Sequence, residues 1–292
     1  MAKIRISAVS FKSGPIKSFN DFADHATRLV NEAAADSPDF VVFPELFTNE
    51  LMTFFDEPDL GQRFRRMPTY TNDYIKLFDS LAKEKAMYIV AGSHVKEVEG
   101  RYYNTSHLFS PDGQAREQRK VHLFPPERAV NITPGDNLAV FQTEKAKVSI
   151  LTCYDLEFPE VARLVTLQGA EILISPSATM DGNGYWRVRH CGQARCIEDQ
   201  VYVVHSSLLG DWGIPGLQFW GLSSILSPCE AGLPEKGIVA EGPVNEESVI
   251  TAEVDTEKLY EIREKGAAPT LKDRRWDLLE NLYELESRKC QR

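Results

Sequence analysis

The run Phe40-Val41-Val42-Phe43-Pro44 and the run Ile172-Leu173-Ile174 decide the fold class of this chain. Neither run alternates apolar with polar residues, so each predicts a strand that needs cover on both of its faces. Segments with helical spacing of apolar residues lie between the strand-like segments. Strands interleaved with helices predict an α/β sandwich in which helices cover a central sheet.

The remaining elements follow from hydrophobic periodicity and from turn residues. Strands are predicted at 3–10, 40–43, 87–94, 102–110, 115–123, 148–151, 171–175, 201–206, 219–227 and 247–254. Helices are predicted at 19–33, 73–86, 159–168 and 185–199, and a polar helical arm from about 256 to 292. Because no linker-like segment interrupts the pattern, we expect a single domain over 1–292, with the arm packing on a neighbour.

Composition excludes several classes of function. The chain has 292 residues and a formal charge of −10, so it lacks the positive surplus that binds nucleic acid or anionic membranes. The stretch 212–229 has no charge, but prolines, serines and glycines interrupt it, so it does not predict a membrane span. The first eleven residues lack the apolar stretch of a signal peptide. The five cysteines show no framework spacing, which indicates reduced thiols and a cytoplasmic location.

Three segments share a layout in which apolar residues lead to a reactive side chain and then to proline. They are Val41–Glu45, Arg119–Glu127 and Ile150–Glu160. In α/β proteins, reactive groups gather where strands end, because the sheet holds them while the loops stay open. Taken singly, each segment favours a structural role, since a strand-end Cys is most often a small buried hydrophobe and a lone Glu or Lys is usually solvated.

Taken together, the three segments resemble the nitrilase (carbon–nitrogen hydrolase) superfamily, whose members use a Glu-Lys-Cys triad on these local patterns. The triad here is Glu45, Lys120 and Cys153. Two further stretches, 192–199 and 274–276, are similar to family segments, so the resemblance extends from about residue 3 to about residue 280. It implies a four-layer αββα sandwich that forms homodimers or larger homo-oligomers.

The resemblance also implies a role for each candidate residue. Cys153 is the nucleophile, and Glu45 is the general base that takes the thiol proton. Lys120 and the backbone N–H of Tyr154 hold the oxyanion, and Glu127 braces Lys120. A free glutamate has a pKa of about 4.3 and is a poor base near neutral pH. We therefore expect burial among the neighbouring apolar residues to raise the pKa of Glu45.

The segment Cys153-Tyr154-Asp155-Leu156-Glu157 resembles the amidase branch, whereas nitrilases usually have Cys-Trp-Glu. Carbamoyl-amino-acid amidases have Arg at the position of Glu157, where it pairs with a substrate carboxylate. Two interpretations of Glu157 remain open. Its side chain faces the substrate and disfavours anionic compounds, or it caps the helix that begins at Pro159.

The stretch Ser177-Ala178-Thr179 follows a predicted strand and matches the part of the family that lines the acyl pocket. Its small side chains indicate room for a compact acyl group. We therefore predict that Ser177 and Ala178 bind substrate together with Tyr154 and Glu157.

The expected function is cysteine-dependent hydrolysis of a small carboxamide to a carboxylic acid and ammonia, through a thioester. A nitrilase or an N-carbamoyl amidase is an alternative, and a noncatalytic binding protein on the same fold is a distant one. No cofactor is expected. A zinc site is disfavoured, because Cys191 and Cys196 lack a second ligand pair of standard spacing. A Cys–His dyad with His107, His122 or His205 is disfavoured too, since no protease signature surrounds Cys153.

Overall fold

A computed structural model describes residues 3–278 and residue 280 of the chain. The strands are β1 (Lys3–Ser13), β2 (Phe40–Val42), β3 (Tyr88–Val98), β4 (Arg101–Phe109), β5 (Ala115–Arg119), β6 (Phe141–Gln142), β7 (Lys147–Ile150), β8 (Ile172–Ser177), β9 (Tyr202–Asp211), β10 (Gln218–Phe219), β11 (Ser224–Leu226), β12 (Ile238–Glu241) and β13 (Ser248–Asp255). The α-helices are α1 (Phe19–Ala34), α2 (Leu60–Arg66), α3 (Thr71–Lys85), α4 (Pro125–Ala129), α5 (Pro159–Leu167), α6 (Gly182–Asp199) and α7 (Thr256–Lys265). Short 3₁₀ helices cover Phe47–Phe54, Met67–Tyr70 and Cys153–Glu157.

The strands form a sheet that is divided into two halves. Its central order is β5-β4-β3-β2-β1-β9-β8-β7-β6. The halves join where the end of β1 pairs in parallel with the end of β9, over Phe11–Ser13 and Leu208–Gly210. β13 extends the first half by pairing with β1, and β11 and β12 extend the second half from β9. This short junction lets the two halves stack face to face.

Alternate side chains of the apolar strands enter different layers. Phe40 and Val42 of β2 share one core with Ile172 and Ile174 of β8, and this core lies between the two halves of the sheet. Val41 points the other way and packs with α1 and α3. The opposite faces of β8 and β9 pack with α5 and α6 in a third core. The predicted four-layer αββα sandwich is confirmed, and the cause is the two-sided apolar strands.

Two predicted strands were wrong in extent. The strand predicted over 115–123 ends at Arg119, because the carbonyl of Lys120 accepts the N–H of Gly135 instead of continuing the sheet. The strand predicted over 219–227 is divided into β10 and β11. It breaks because the N–H of Trp220 donates to the carbonyl of Thr179 rather than to β9. The sequence also gave no prediction of α2 or α4.

The beginning of the predicted C-terminal arm packs on its own chain. Leu259 and Ile262 of α7 are buried in the core between the sheet halves. Arg263 donates to the carbonyls of Gln200 and Ala170. Residue 279 and residues 281–292 of the arm lie outside the described residues. Over the described part of the chain, no helix combines the length and the apolar character needed to cross a membrane.

A backbone contact that requires glycine holds the turn that carries Glu45. Gly92 in β3 has a φ of +52°, and a Cβ added there would lie 1.9 Å from the carbonyl oxygen of Pro44. The N–H of Leu46 donates to Oγ of Ser93 at 2.9 Å. The irregular stretch of β3 between residues 90 and 93 thus contacts this turn on both sides of Glu45.

We expect Gly92→Ala to lower the free energy of unfolding by about 2 to 4 kcal/mol, because it combines a strained φ with a backbone clash. Urea unfolding followed by circular dichroism measures the change. Gly14→Ala is the matched control, since a Cβ at Gly14 meets no atom within 4 Å, and its effect should stay within about 1 kcal/mol. Similar small effects for both variants would contradict this role for Gly92.

Candidate active site

Cys153 begins a 3₁₀ helix just after β7 in a strained backbone conformation. Its φ is +48°, a region that costs a non-glycine residue about 1–3 kcal/mol. The residue is 8% exposed and lines a cavity of about 320 Å³. Tyr154 follows in the first turn of this helix, where backbone N–H groups have no partner within the helix. Strain of this kind concentrates at functional sites, which is consistent with a reactive thiol here.

Lys120 lies buried between two carboxylates. Its Nζ is 2.7 Å from Oε1 of Glu45 and 2.5 Å from Oε2 of Glu127. Burial opposes the charged form, yet the carboxylates of Glu127 and Glu45 hold the pKa of Lys120 well above its ordinary value. An ammonium has three N–H donors. Within the described chain two of them are used, so the third is left for a ligand in the cavity.

The carboxylate of Glu45 is bound on both oxygens. Oε1 accepts from Lys120 and from Nδ2 of Asn104, the latter at 2.9 Å. Oε2 accepts the backbone N–H of Ala178 at 3.1 Å. Burial raises the pKa of Glu45, and the charge of Glu127 raises it further, against the opposing effect of Lys120. The direction is the one expected of a carboxylate that works as a base.

The thiol of Cys153 lies at the same cavity as Glu45 and Ala178. Burial raises the pKa of this thiol far above its ordinary value, and the charge of Glu45 adds to the effect, while Lys120 opposes it. The raised pKa favours the neutral thiol over the thiolate at Cys153.

Asn104 belongs to the site but was missed in the sequence. It lies in β4, is 2% exposed, and donates from Nδ2 to Oε1 of Glu45 and to Oε1 of Glu127, the latter at 2.8 Å. A weak signal was present. Asn104 shares a strand face with Leu108, which packs between the sheet halves, so a polar residue at its position is buried and needs a partner.

Asp155 connects the segment of Lys120 to the segment of Cys153. Its Oδ1 accepts the backbone N–H of His122 at 2.7 Å and also contacts Nδ1 of the same histidine at 3.0 Å. Its Oδ2 accepts the N–H of Val121 at 3.4 Å. These bonds hold the loop after β5 against the turn after β7. They also show His122 bound to Asp155 and not to the thiol.

The walls of the cavity are mainly apolar. Side chains from α2, from the 3₁₀ turn at Tyr154 and from the stretch 212–219 surround the reactive groups. The apolar lining residues include Leu46, Leu60, Phe64, Phe124, Pro126, Ala178, Met180, Val188, Trp212, Leu217 and Phe219. The contributions of α2 were not predicted, since its short segment carries no helical repeat long enough to recognise.

Glu157 lines the cavity, and its charge is paired. Its Oε2 accepts from Nε of Arg187 in α6 at 2.7 Å, and Arg187 lines the cavity as well. The carboxylate does not cap α5, whose first position follows Phe158 without a side-chain capping bond. Of the two interpretations of Glu157, the structure thus disfavours the helix cap and places the side chain at the cavity.

The other predicted substrate-binding residues separate into two groups. Tyr154 and Ala178 line the cavity, and so does Thr179. Ser177 does not, because its buried hydroxyl is directed to Oγ and the carbonyl of Ser175. The catalytic candidates Glu45, Lys120, Glu127 and Cys153 lie together at the same cavity.

Comparison with known proteins identifies the family of this chain. The sequence model of the family described as carbon-nitrogen hydrolase matches residues 7–264. The chain is 39% identical to the probable hydrolase YhcX of Bacillus subtilis over 96% of its own length, and it spans 55% of that protein. It is 33% identical to the omega-amidase NIT2 of Xenopus tropicalis, over 99% of this chain and 100% of that one.

Among solved structures, Nit3 of Saccharomyces cerevisiae, a member of branch 10 of the nitrilase superfamily, superposes with a TM-score of 0.77 at 27% identity. The alignment covers 94% of this chain and 97% of Nit3. An amidase from Nesterenkonia sp. AN1, 22% identical, shares the fold with a TM-score of 0.76 over 96% of this chain and 99% of its own. The resemblance seen in the sequence is confirmed, and the chain belongs to the carbon–nitrogen hydrolase family of the nitrilase superfamily.

Proposed function

We propose that this protein is an amidase that hydrolyses a small carboxamide to a carboxylic acid and ammonia through a thioester on Cys153. The observation that carries the proposal is the buried contact of Lys120 with Glu45 and Glu127 beside a strained cysteine, all at one cavity. This arrangement supplies a nucleophile, a base and a cation without a cofactor.

The first half of the reaction makes the thioester. Glu45 takes the proton of the Cys153 thiol while the sulfur bonds to the amide carbon. The carbonyl oxygen becomes an oxyanion that accepts from the unused N–H of Lys120 and from the backbone N–H of Tyr154. Glu45 then gives its proton to the amide nitrogen, the C–N bond breaks, and ammonia leaves.

The second half returns the enzyme to its starting state. A water molecule gives a proton to Glu45 and attacks the thioester carbon, and the same donors hold the new oxyanion. The C–S bond breaks, the carboxylic acid is released, and the proton of Glu45 returns to the sulfur. Glu127 braces Lys120, and both of its oxygens accept hydrogen bonds in the resting site.

Two further properties belong to the proposal. We infer a homo-oligomer, supported by the family resemblance and by exposed apolar side chains on α5 and α6, namely Leu164, Leu167, Trp186 and Ile197. We infer a cytoplasmic location, supported by the requirement for a reduced Cys153 and by the free thiols of Cys191, Cys196 and Cys229.

Wild-type protein is expected to release ammonia from one or more small carboxamides, and Cys153→Ala is expected to lose at least about 1,000-fold in kcat, since the covalent step disappears. An ammonia-release screen over amides, nitriles and carbamoyl compounds measures both. Cys191→Ala, a change at a thiol that does not line the cavity, is the control and should retain activity.

The same screen separates the alternatives. Activity on nitriles alone would make the protein a nitrilase, and release of carbon dioxide with ammonia would make it a carbamoyl amidase. Wild-type protein that hydrolyses none of these compounds, with Cys153 no more reactive toward iodoacetamide than the other thiols, would indicate the noncatalytic binding protein.

The raised pKa of Glu45 predicts the pH dependence. Glu45 must be ionised to accept the thiol proton, so kcat/KM should fall as pH falls through its raised pKa. The acid limb is therefore expected above about 4.3, the ordinary value for glutamate. A pH–rate profile with a neutral substrate checks this, and an acid limb at or below that value would contradict the assignment of Glu45 as the base.

The pair of Glu157 and Arg187 predicts the charge preference. With the pair intact the charges of Glu157 and Arg187 compensate each other, and the apolar walls favour neutral amides. Glu157→Gln removes the partner of Arg187, so kcat/KM for a carboxylate-bearing amide should rise about tenfold relative to its neutral isostere, a change of about 1.4 kcal/mol. Arg187→Gln should shift the ratio the other way. Equal ratios in wild type and both variants would remove Glu157 and Arg187 from substrate selection.

A further inference from the structure

Asn104 lies where the two carboxylates of the site meet. Its Nδ2 donates to Oε1 of Glu45 at 2.9 Å and to Oε1 of Glu127 at 2.8 Å. The orientation of the amide is determined by chemistry, because the reverse orientation would direct its oxygen at two carboxylates. Both N–H groups of the Asn104 amide are therefore committed to the catalytic carboxylates.

The Oδ1 atom of Asn104 is buried and has no hydrogen-bond partner among the described residues. An unsatisfied buried acceptor costs about 1–3 kcal/mol. An apolar side chain at this place in β4 would avoid that cost. The hydrogen bonds that the two N–H groups of Asn104 donate to Glu45 and Glu127 explain why a polar residue is kept at this position despite that cost.

The charges of the site explain what the two N–H donors of Asn104 do. Glu45, Glu127 and Lys120 are each at most 7% exposed and carry two negative charges against one positive charge. Buried like charges favour protonation of one carboxylate, and the charge of Glu127 raises the pKa of Glu45. A neutral amide that donates to both carboxylates favours the ionised form of each without adding a charge.

The same bonds determine which oxygen of Glu45 faces the thiol. Oε1 is occupied by Lys120 and Asn104. Oε2 accepts only from the N–H of Ala178 among the described residues, and Ala178 and Cys153 line the same cavity. Oε2 is therefore the oxygen left for the thiol, and Asn104 helps to hold the carboxylate in that rotation.

We propose that Asn104 is a positioning residue for the hydrolysis, binding Glu45 and Glu127 through its two N–H donors so that Glu45 stays ionised and its Oε2 is left for the thiol. This inference rests on the proposed amidase function. It assigns Asn104 no contact with the substrate, so the substitution should act on kcat and on the pH profile more than on KM.

The test compares Asn104→Ala and Asn104→Asp with Thr105→Val. Thr105 is the buried neighbour whose Oγ1 has no partner among the described residues, so its replacement by valine should leave kcat and the pH profile unchanged. Asn104→Ala removes both donors, which should raise the acid limb of kcat/KM by about one pH unit and lower kcat at least about tenfold at pH 7. Asn104→Asp places a third carboxylate in the site and should lower kcat at pH 7 by more than Asn104→Ala does.

A second readout keeps the test independent of turnover and of folding. The rate of Cys153 alkylation by iodoacetamide, followed by mass spectrometry across pH, reports whether Glu45 accepts the thiol proton. Asn104→Ser, which retains one donor, should give an intermediate profile if Asn104→Ala does not fold. Wild-type protein without amidase activity would overturn the proposed function, while the alkylation rates of Cys153 would still test the role of Asn104. Alkylation and kcat/KM profiles of the Asn104 variants that match wild type would overturn the role of Asn104.

Discussion

The burial of the Lys120 ammonium between two carboxylates is the interaction on which the rest of the site depends. Removing such charges from water is costly, and their attraction compensates only when the geometry is good and the remaining donors and acceptors are satisfied. Here Glu45 and Glu127 receive hydrogen bonds from Asn104, from Ala178 N–H and from Phe124 N–H. The ionic cluster thus constrains four separate parts of the chain to one arrangement.

The sandwich supplies the rigidity that this cluster requires. Three of its members follow strands of the two stacked sheet halves, Glu45 after β2, Lys120 after β5 and Cys153 after β7. Gly92 admits the close approach of the turn that carries Glu45, and Asp155 ties the loop of Lys120 to the turn of Cys153. The strain at Cys153 is tolerated because the surrounding contacts over-determine its position.

The same burial affects which group of the site holds the proton. In the proposed mechanism, burial raises the pKa of both Glu45 and Cys153, so the proton stays on the sulfur until the carboxylate takes it. The two carboxylates hold the pKa of Lys120 high, and its ammonium is the positive group that the proposed oxyanion needs. The apolar walls of the cavity strengthen each of these electrostatic contacts.

The apolar pattern of the sequence predicted an α/β layering, and the family resemblance of its motifs predicted the four-layer sandwich and the candidate reactive residues. Two-sided apolar runs at 40–43 and 172–174 predicted strands covered on both faces, and three strand-to-proline segments carried Glu45, Lys120 and Cys153. Both signals are local, since each apolar run and each segment consists of consecutive residues. Features that depend on contacts between distant residues became visible in the folded chain alone. They are the bridge of Asn104 between two carboxylates and the pairing of Glu157 with Arg187. They also include the separation of Ser177 from the cavity and the part of the cavity wall that α2 contributes. Contacts of this kind join residues that are far apart in the sequence, and the bond of Ala178 to Glu45 spans 133 positions. No periodicity along the chain encodes them.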